Sequence, residues 1–211
     1  MRAIPARVRA DPAGPGGGAT ASTGRGLLGR LAAALRRHWL MVILLAAGLT
    51  LRVATQLAYR PALVYIDSVK YLFGAYPGND PPGYQLMLQA FLKVGTLASV
   101  AVLQHLAGLA MAVVLYLVLR RRGVPNWLAA LATAPVLLDA YQLQIEQSIM
   151  PDTAFEVLIV AGLAVLLWER RPPTALVLAA GLALGASATV RQVGEIFILP
   201  ALLYLLAVVP G

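Results

Sequence analysis

Residues 59–94 read YRPALVYIDSVKYLFGAYPGNDPPGYQLMLQAFLKV, the one long stretch between hydrophobic spans that is neither apolar throughout nor low in complexity. It carries Asp67, Lys70, Asp80 and a Pro-Pro-Gly-Tyr turn ending at Tyr84. The chain on both sides reads as membrane-spanning helix. The stretch is therefore expected to be an external loop that holds part of a catalytic site, with the helices positioning it.

Inside the loop, Lys70 and Tyr71 lie one helical turn beyond Asp67, so a short helix near 67–75 puts the three on one face. Pro77, Gly78, Asn79, Asp80, Pro81, Pro82 and Gly83 then force a turn. A second helix near 83–94 follows. Its polar residues Gln85, Gln89 and Lys93 recur every four positions, which suits a helix lying in the membrane interface. On spacing alone Asp67 reads equally well as a helix cap or a solvated loop residue.

Composition supports the membrane reading. Of 211 residues 60% are hydrophobic and only 12% charged, with a mean hydropathy of +0.77. A soluble domain is nearer half apolar and a quarter charged. The net charge of +8 does not point to nucleic acid, because the basic residues stand at the ends of apolar spans instead of alternating with stacking aromatics. With no cysteine there is no disulfide framework and no thiolate metal site.

Residues 1–37 are rich in Arg, Gly, Ala and Pro and are expected to form a disordered basic tail, with an amphipathic lead-in from about Leu27. A secretory signal is the competing reading, but the basic region is too long for one. Six spans are expected in a transmembrane domain over 38–211, near 38–58, 98–119, 125–142, 152–168, 174–190 and 194–209, with the first external loop at 59–97. A bilayer core of about 30 Å needs about 20 helical residues. Arg52 is expected to snorkel outward from the far end of the first span. Pro135 interrupts the third. The fold class is thus all-α and polytopic, with two short interfacial helices in the first loop.

With the N-terminus in the cytoplasm, 12 of the 17 basic residues fall on the cytoplasmic side, as the positive-inside rule expects. Asp67, Asp80, Asp139, Glu146, Asp152, Glu156 and Glu195 fall on or near the outer side. Acidic residues contribute little to orientation, so a polar site at the outer surface is the better account of them. Asp152 begins a span after Pro151 and reads as an ordinary first-turn carboxylate. Glu156 sits deeper, where an ionisable group is costly and by default a functional candidate. Asp139 reads as the outer end of a kinked helix. Arg191, in ATVRQVGE, is either half of a loop ion pair with Glu195 or a guanidinium suited to phosphate.

Taken in order, YIDSVKYL, NDPPGYQLML, LQHLAGLAMAVVLYLVLRRRG, IEQSIMPDTAFEVLIVAGLAVLLW and VRQVGEIFILPALLYLL resemble the N-terminal half of GT-C membrane glycosyltransferases, in the protein-mannosyltransferase-like branch. The resemblance covers about 40–209, and order and topology carry it more than any one motif. It implies an enzyme of the cell envelope, a hexosyl- or pentosyltransferase. Such an enzyme moves a sugar from a polyprenyl-phosphate-linked donor to a glycan, lipid or protein acceptor on the non-cytoplasmic face. By motif position Asp67 matches the family's first-loop aspartate, read as the general base, and Asp152 the acidic residue opening the fourth span. Arg191 matches a basic residue that meets the donor phosphate. Lys70 or Arg60 would assist Arg191; Glu146, Glu156 and Tyr84 would support the site.

The sequence departs from that pattern in three ways. Ser68 stands where many relatives have glutamate. The chain stops at Gly211 after six expected spans, so the domain is expected to be incomplete. Its two histidines, His38 and His105, form no metal cluster with the acids, which leaves the metal and the cofactor unknown, a divalent cation included. The chemistry is coherent without a strong general acid, since a glycosyl phosphate already carries a good leaving group. A base for the acceptor hydroxyl and positive charge for the departing phosphate suffice. The alternatives are a membrane transporter component, which would place ionisable residues near the bilayer midplane, and a non-catalytic membrane scaffold. The expected location is the cell membrane, multi-pass, with membrane lipids around it and no nucleic-acid partner.

Overall fold

A computed structural model of the chain describes residues 29–30, 32–74 and 80–208. Residues 1–28 and 31 of the expected tail and lead-in, the Pro77–Gly78–Asn79 part of the loop turn and the last residue of the sixth expected span lie outside them, while 29–30 and 32–37, in the expected lead-in, are helical. The body from His38 onward is all-α. Its helices are α1 (Trp39–Ala58), α2 (Ile66–Phe73), α3 (Gly83–Leu92), α4 (Leu97–Arg121), α5 (Asn126–Ala132), α6 (Ala134–Leu138), α7 (Ala140–Gln147), α8 (Asp152–Trp168), α9 (Thr174–Val190) and α10 (Ile198–Val208), with a 3-10 turn at Gln192–Phe197 before the last.

Two helices, α1 and α4, are long and apolar enough to cross a membrane, and two shorter apolar helices cover Thr174–Val190 and Gln192–Ala207. The distribution of side chains agrees with a lipid surround. Leu103, Leu106, Leu178, Leu182, Leu199 and Leu206 are exposed, whereas Arg52, Gln104, His105, Glu146 and Gln147 are buried. A water-soluble protein reverses that arrangement, because burying apolar surface is what drives its folding and lone buried charges are penalised. The chain is a membrane protein.

Three apolar clusters hold the bundle. Met41, Leu44, Ala112, Tyr116, Ala129, Ala130 and Leu137 join α1, α4, α5 and α6. Ile159, Leu166, Ala180, Leu184 and Ala201 join α8, α9 and α10. The third cluster, Tyr71, Tyr84, Leu88, Val100, Ile149 and Val190, ties the two loop helices to the starts of α4 and α8 and the end of α9.

The bundle has two chemically distinct ends. At one, Arg121 pairs with Glu169 and donates from Nε to the Trp168 carbonyl (2.6 Å). Arg122 Nε donates to the Leu167 carbonyl (2.7 Å) and its Nη2 to the Tyr204 hydroxyl (3.1 Å). These cations sit on the unsatisfied carbonyls closing α8, where the helix dipole favours them. At the other end lie the loop helices, the start of α8 and the end of α9.

The expected bounds near 152–168 and 174–190 coincide with α8 and α9. The expected loop helices are α2 and α3, each within about two residues where described. Two expectations fail. The third expected span is not one helix but three pieces, α5, α6 and α7. Pro135 cannot donate to the carbonyl four residues back, and Thr133 turns there (φ −90°, ψ −9°). Asp139, on extended backbone, ends α6 as expected of the end of a kinked helix, its amide donating to the Pro135 carbonyl (3.2 Å), and also caps α7, accepting from the Tyr141 amide at 3.3 Å. The expected sixth span, 194–209, opens as a 3-10 turn at Gln192–Phe197 and not as an α-helix, because Pro200 fits only within the first turn of an α-helix; α10 accordingly opens at Ile198.

Candidate active site

The first loop returns to the bundle through a β-bridge between Leu63 and Ser148. The Leu63 amide donates to the Gln147 carbonyl (2.9 Å) and the Ile149 amide to the Leu63 carbonyl (3.0 Å). Gln147 Nε2 donates to the Tyr59 carbonyl at 2.9 Å. This stitch lays the approach to Asp67 alongside the approach to Asp152.

Asp67 stands in the first turn of α2, where the dipole favours a carboxylate, and its side chain is 60% exposed. It is not the cap. Tyr65 is, and Ser68, at the third helical position, accepts from the Tyr65 amide through Oγ at 2.9 Å and so closes the helix start. Lys70 Nζ lies 3.5 Å from Asp67 and 2.5 Å from Asp80. The hydrogen bond to Asp80 holds the Lys70 ammonium above the usual lysine range, against the opposing pull of desolvation. Lys70, expected to meet a donor phosphate, is thus already shared between two carboxylates.

Across the cluster, Asp152 opens α8 and pairs with Arg191, which closes α9 on extended backbone (φ −143°, ψ 137°). Residues 39 apart in sequence therefore make one ion pair, half-buried, at the loop end of the bundle. Arg191 pairs with Asp152, not with its sequence neighbour Glu195. The Pro-Pro-Gly-Tyr turn packs on the same corner: a Cβ at Gly83 would lie 2.5 Å from the Thr189 carbonyl oxygen, so only glycine lets the two backbones meet.

Tyr84, next along, is 1% exposed. Its ring meets Tyr71 edge-to-face at 5.0 Å, and Lys70 Nζ stands 5.0 Å from the Tyr71 centroid. Burial pushes the Tyr84 phenol well above the usual tyrosine range, with the Tyr71 and Asp152 charges adding to it. The Lys70 group therefore lies at the Tyr71 end of this aromatic pair. Beside Tyr84 a cavity of about 340 Å³ opens between α3, α4 and α8, walled by Leu88, Phe91, Leu103 and Leu158 among others. The Tyr84 and Thr153 hydroxyls, both on its lining, have no hydrogen-bond partner among the described residues.

The remaining candidates fall elsewhere. Glu146, expected in an external loop, is fully buried between Arg52 (2.6 Å) and His105 (2.9 Å). Arg52, expected to snorkel outward, turns inward instead: the break before α7 leaves the Val136 and Leu137 carbonyls without helical partners, and Arg52 donates to both (2.9 and 3.0 Å). Glu156 is half-buried and accepts from Gln142 Nε2 at 2.8 Å. Arg60 is exposed beside Gln56, Thr96 and Ser99, at the α1–α4 side. Sequence reasoning missed Gln104, His105 and Thr153 as polar participants. Two adjacent polar residues inside the apolar run LASVAVLQHLAGLA were the available signal. Among the described residues no group of three or more His, Asp or Glu side chains stands together as a metal site.

A family model described as dolichyl-phosphate-mannose-protein mannosyltransferase matches residues 60–209. No curated protein and no solved structure matches the chain. The matched span runs from Arg60 at the loop entry through the Asp152–Arg191 pair to the end of α10.

Proposed function

Since the chain belongs to the dolichyl-phosphate-mannose-protein mannosyltransferase family, we propose that it transfers a mannosyl group from a polyprenyl-phosphate donor to a hydroxyl-bearing acceptor, most simply a protein, on the non-cytoplasmic face of the cell membrane. The chain crosses the bilayer six times with its N-terminus in the cytoplasm. The Arg121–Arg122 end faces inward and the loop end outward. Residues 1–37 form the cytoplasmic tail and 38–211 the membrane domain.

The observation that carries this reading is the Asp152–Arg191 pair, with Asp152 next in sequence to Thr153 on the wall of an apolar cavity. A polyprenyl phosphate is a dianion on a hydrocarbon chain, and it needs a cation such as the Arg191 guanidinium together with an apolar wall such as the one that follows Asp152 from Thr153 to Leu158. Phosphate competes with Asp152 for the planar fork of Arg191. In the reaction the acceptor oxygen bonds to the sugar C1 and the bond from C1 to the phosphate oxygen breaks. The acceptor proton passes to Asp67 and the phosphate leaves with the electron pair, its charge held by Arg191 and Lys70. The exposure of Asp67 suits a base that must meet an incoming acceptor. Asp152 orients Arg191; Tyr84 and Thr153 supply hydroxyls at the cavity wall.

The test is incubation of the purified protein in lipid nanodiscs with polyprenyl-phosphate sugars, mannose included, and a hydroxyl-containing peptide. Asp67→Asn should lower turnover by about 10²–10⁴-fold while donor binding survives, and Arg191→Ala should weaken donor binding. Full turnover by Asp67→Asn, or no binding of any polyprenyl-phosphate sugar by the parent protein, refutes the assignment.

A further inference from the structure

The buried polar cluster in the middle of the bundle is larger than a single ion pair, and it centres on residues 146–148. The Glu146 carboxylate takes Arg52 Nη2 on Oε1 at 2.6 Å and His105 Nδ1 on Oε2 at 2.9 Å. Gln142 Nε2 reaches the same Oε1 at 3.3 Å and Glu156 at 2.8 Å. Gln104 Nε2 donates to the carbonyls of both Glu146 (2.7 Å) and Ser148 (2.8 Å). His105 Nε2 meets Gln147 Oε1 at 2.8 Å. The Gln147 amide nitrogen is committed to the Tyr59 carbonyl, so the imidazole must be the donor in that contact.

The backbone that these groups grip is the one that pairs with Leu63 and leads within a few residues to Asp152. Arg52 comes from α1 and Gln104 and His105 from α4, so two other helices grip the segment directly, while Gln142, one turn earlier on α7, links it to Glu156 of α8. Packing alone would leave that segment adjustable, since apolar contacts are non-directional. Hydrogen bonds in a low-dielectric interior are directional and costly to leave unmade.

We propose that Glu146, Arg52 and His105 are positioning residues: a membrane-buried polar hub that sets the register of segment 147–149 against Leu63, and so the separation of the Asp67 helix from the Asp152–Arg191 pair. None of the three touches substrate. The geometric part of this proposal stands by itself; its effect on turnover rests on the glycosyl-transfer reading above.

The experiment uses the absence of cysteine in the chain. Cysteines at Ile66 and Tyr141, both exposed, carry nitroxide labels on the loop helix and on α7. Pulsed electron–electron resonance in nanodiscs measures the spread of their separation. The parent protein gives one narrow distribution. His105→Leu, which leaves the Arg52–Glu146 pair in place, and Arg52→Met/Glu146→Leu, which removes the pair as a unit, each broaden or shift it. With polyprenyl-phosphate mannose they lower kcat by about 10²-fold and leave the donor KM nearly unchanged. A role in stability alone predicts less folded protein with unchanged distances and unchanged kcat per folded molecule, and that result overturns the proposal. If the double variant does not fold, the His105→Leu distribution decides alone: unaltered, it refutes the hub. Broadened distances with no turnover even by the parent protein support the hub and count against the glycosyl-transfer reading.

Discussion

Gly108 faces the polar hub, and replacing it by alanine measures how rigidly that hub is held. An added Cβ would overlap Glu146 Oε1, lie 2.6 Å from Glu146 Cδ and stand 2.8 Å from Arg52 Nη2. Glu146 cannot simply swing away, because its two oxygens are bound by Arg52 and His105 and its carbonyl by Gln104. Gly→Ala in a helix interior by itself gains about 1 kcal/mol. Against this stand overpacking, about 1–3 kcal/mol, and disturbance of a buried ion pair, whose complete rupture costs about 3–5 kcal/mol. With the pair strained but unbroken, the net loss is about 2 kcal/mol. For a chain of this length that lowers Tm by about 4–8 °C. The matched control is Gly181→Ala in α9, whose Cβ meets nothing within 4 Å and which should hold or raise Tm. Thermal unfolding of both variants in the same detergent, followed by helical circular dichroism, is the assay. A Gly108→Ala protein as stable as the Gly181→Ala control would show that Glu146 moves freely, and the rigid hub would be wrong.

Two further outcomes are expected. Tyr84→Phe removes a buried hydroxyl that has no partner among the described residues, and an unsatisfied buried hydroxyl costs about 1–3 kcal/mol. The variant should therefore match or exceed the parent Tm, and a clear fall in the same melt would mean the hydroxyl is bonded after all. For topology, cysteine placed at exposed Ile66 should react with an impermeant thiol reagent in intact cells, whereas cysteine at Gly123, beside the arginine cluster, should react only after permeabilisation; the opposite pattern would invert the orientation.

What the sequence determined by itself was one-dimensional. Apolar runs, their charged stops and the prolines at 172–173 mark α8 and α9 to the residue, because a helix end in an apolar run depends on local chemistry: a carboxylate at one end, cations and proline at the other. The loop helices were legible for the same reason, from the spacing of Asp67, Lys70 and Tyr71 and from the Pro-Pro-Gly turn. The family likeness was legible too, since the order of motifs survives without any knowledge of contacts.

Only the tertiary structure decided which charges meet. Arg191 chose Asp152, 39 residues away, over Glu195, four residues away, because the extended backbone after α9 turns the guanidinium toward the start of α8. Arg52 reads from sequence as a residue reaching for water. The break before α7 gave it carbonyls to cap and a carboxylate to pair with, and inside an apolar bundle those directional partners outweigh distant solvent. Asp139, at that break, ends one short helix and caps the next, and Glu146 turned inward from the far end of α7. Helix interiors bury their own hydrogen bonds and can be read from local pattern. A broken helix leaves polar groups whose partners come from elsewhere in the chain, and no local pattern records which residue arrives.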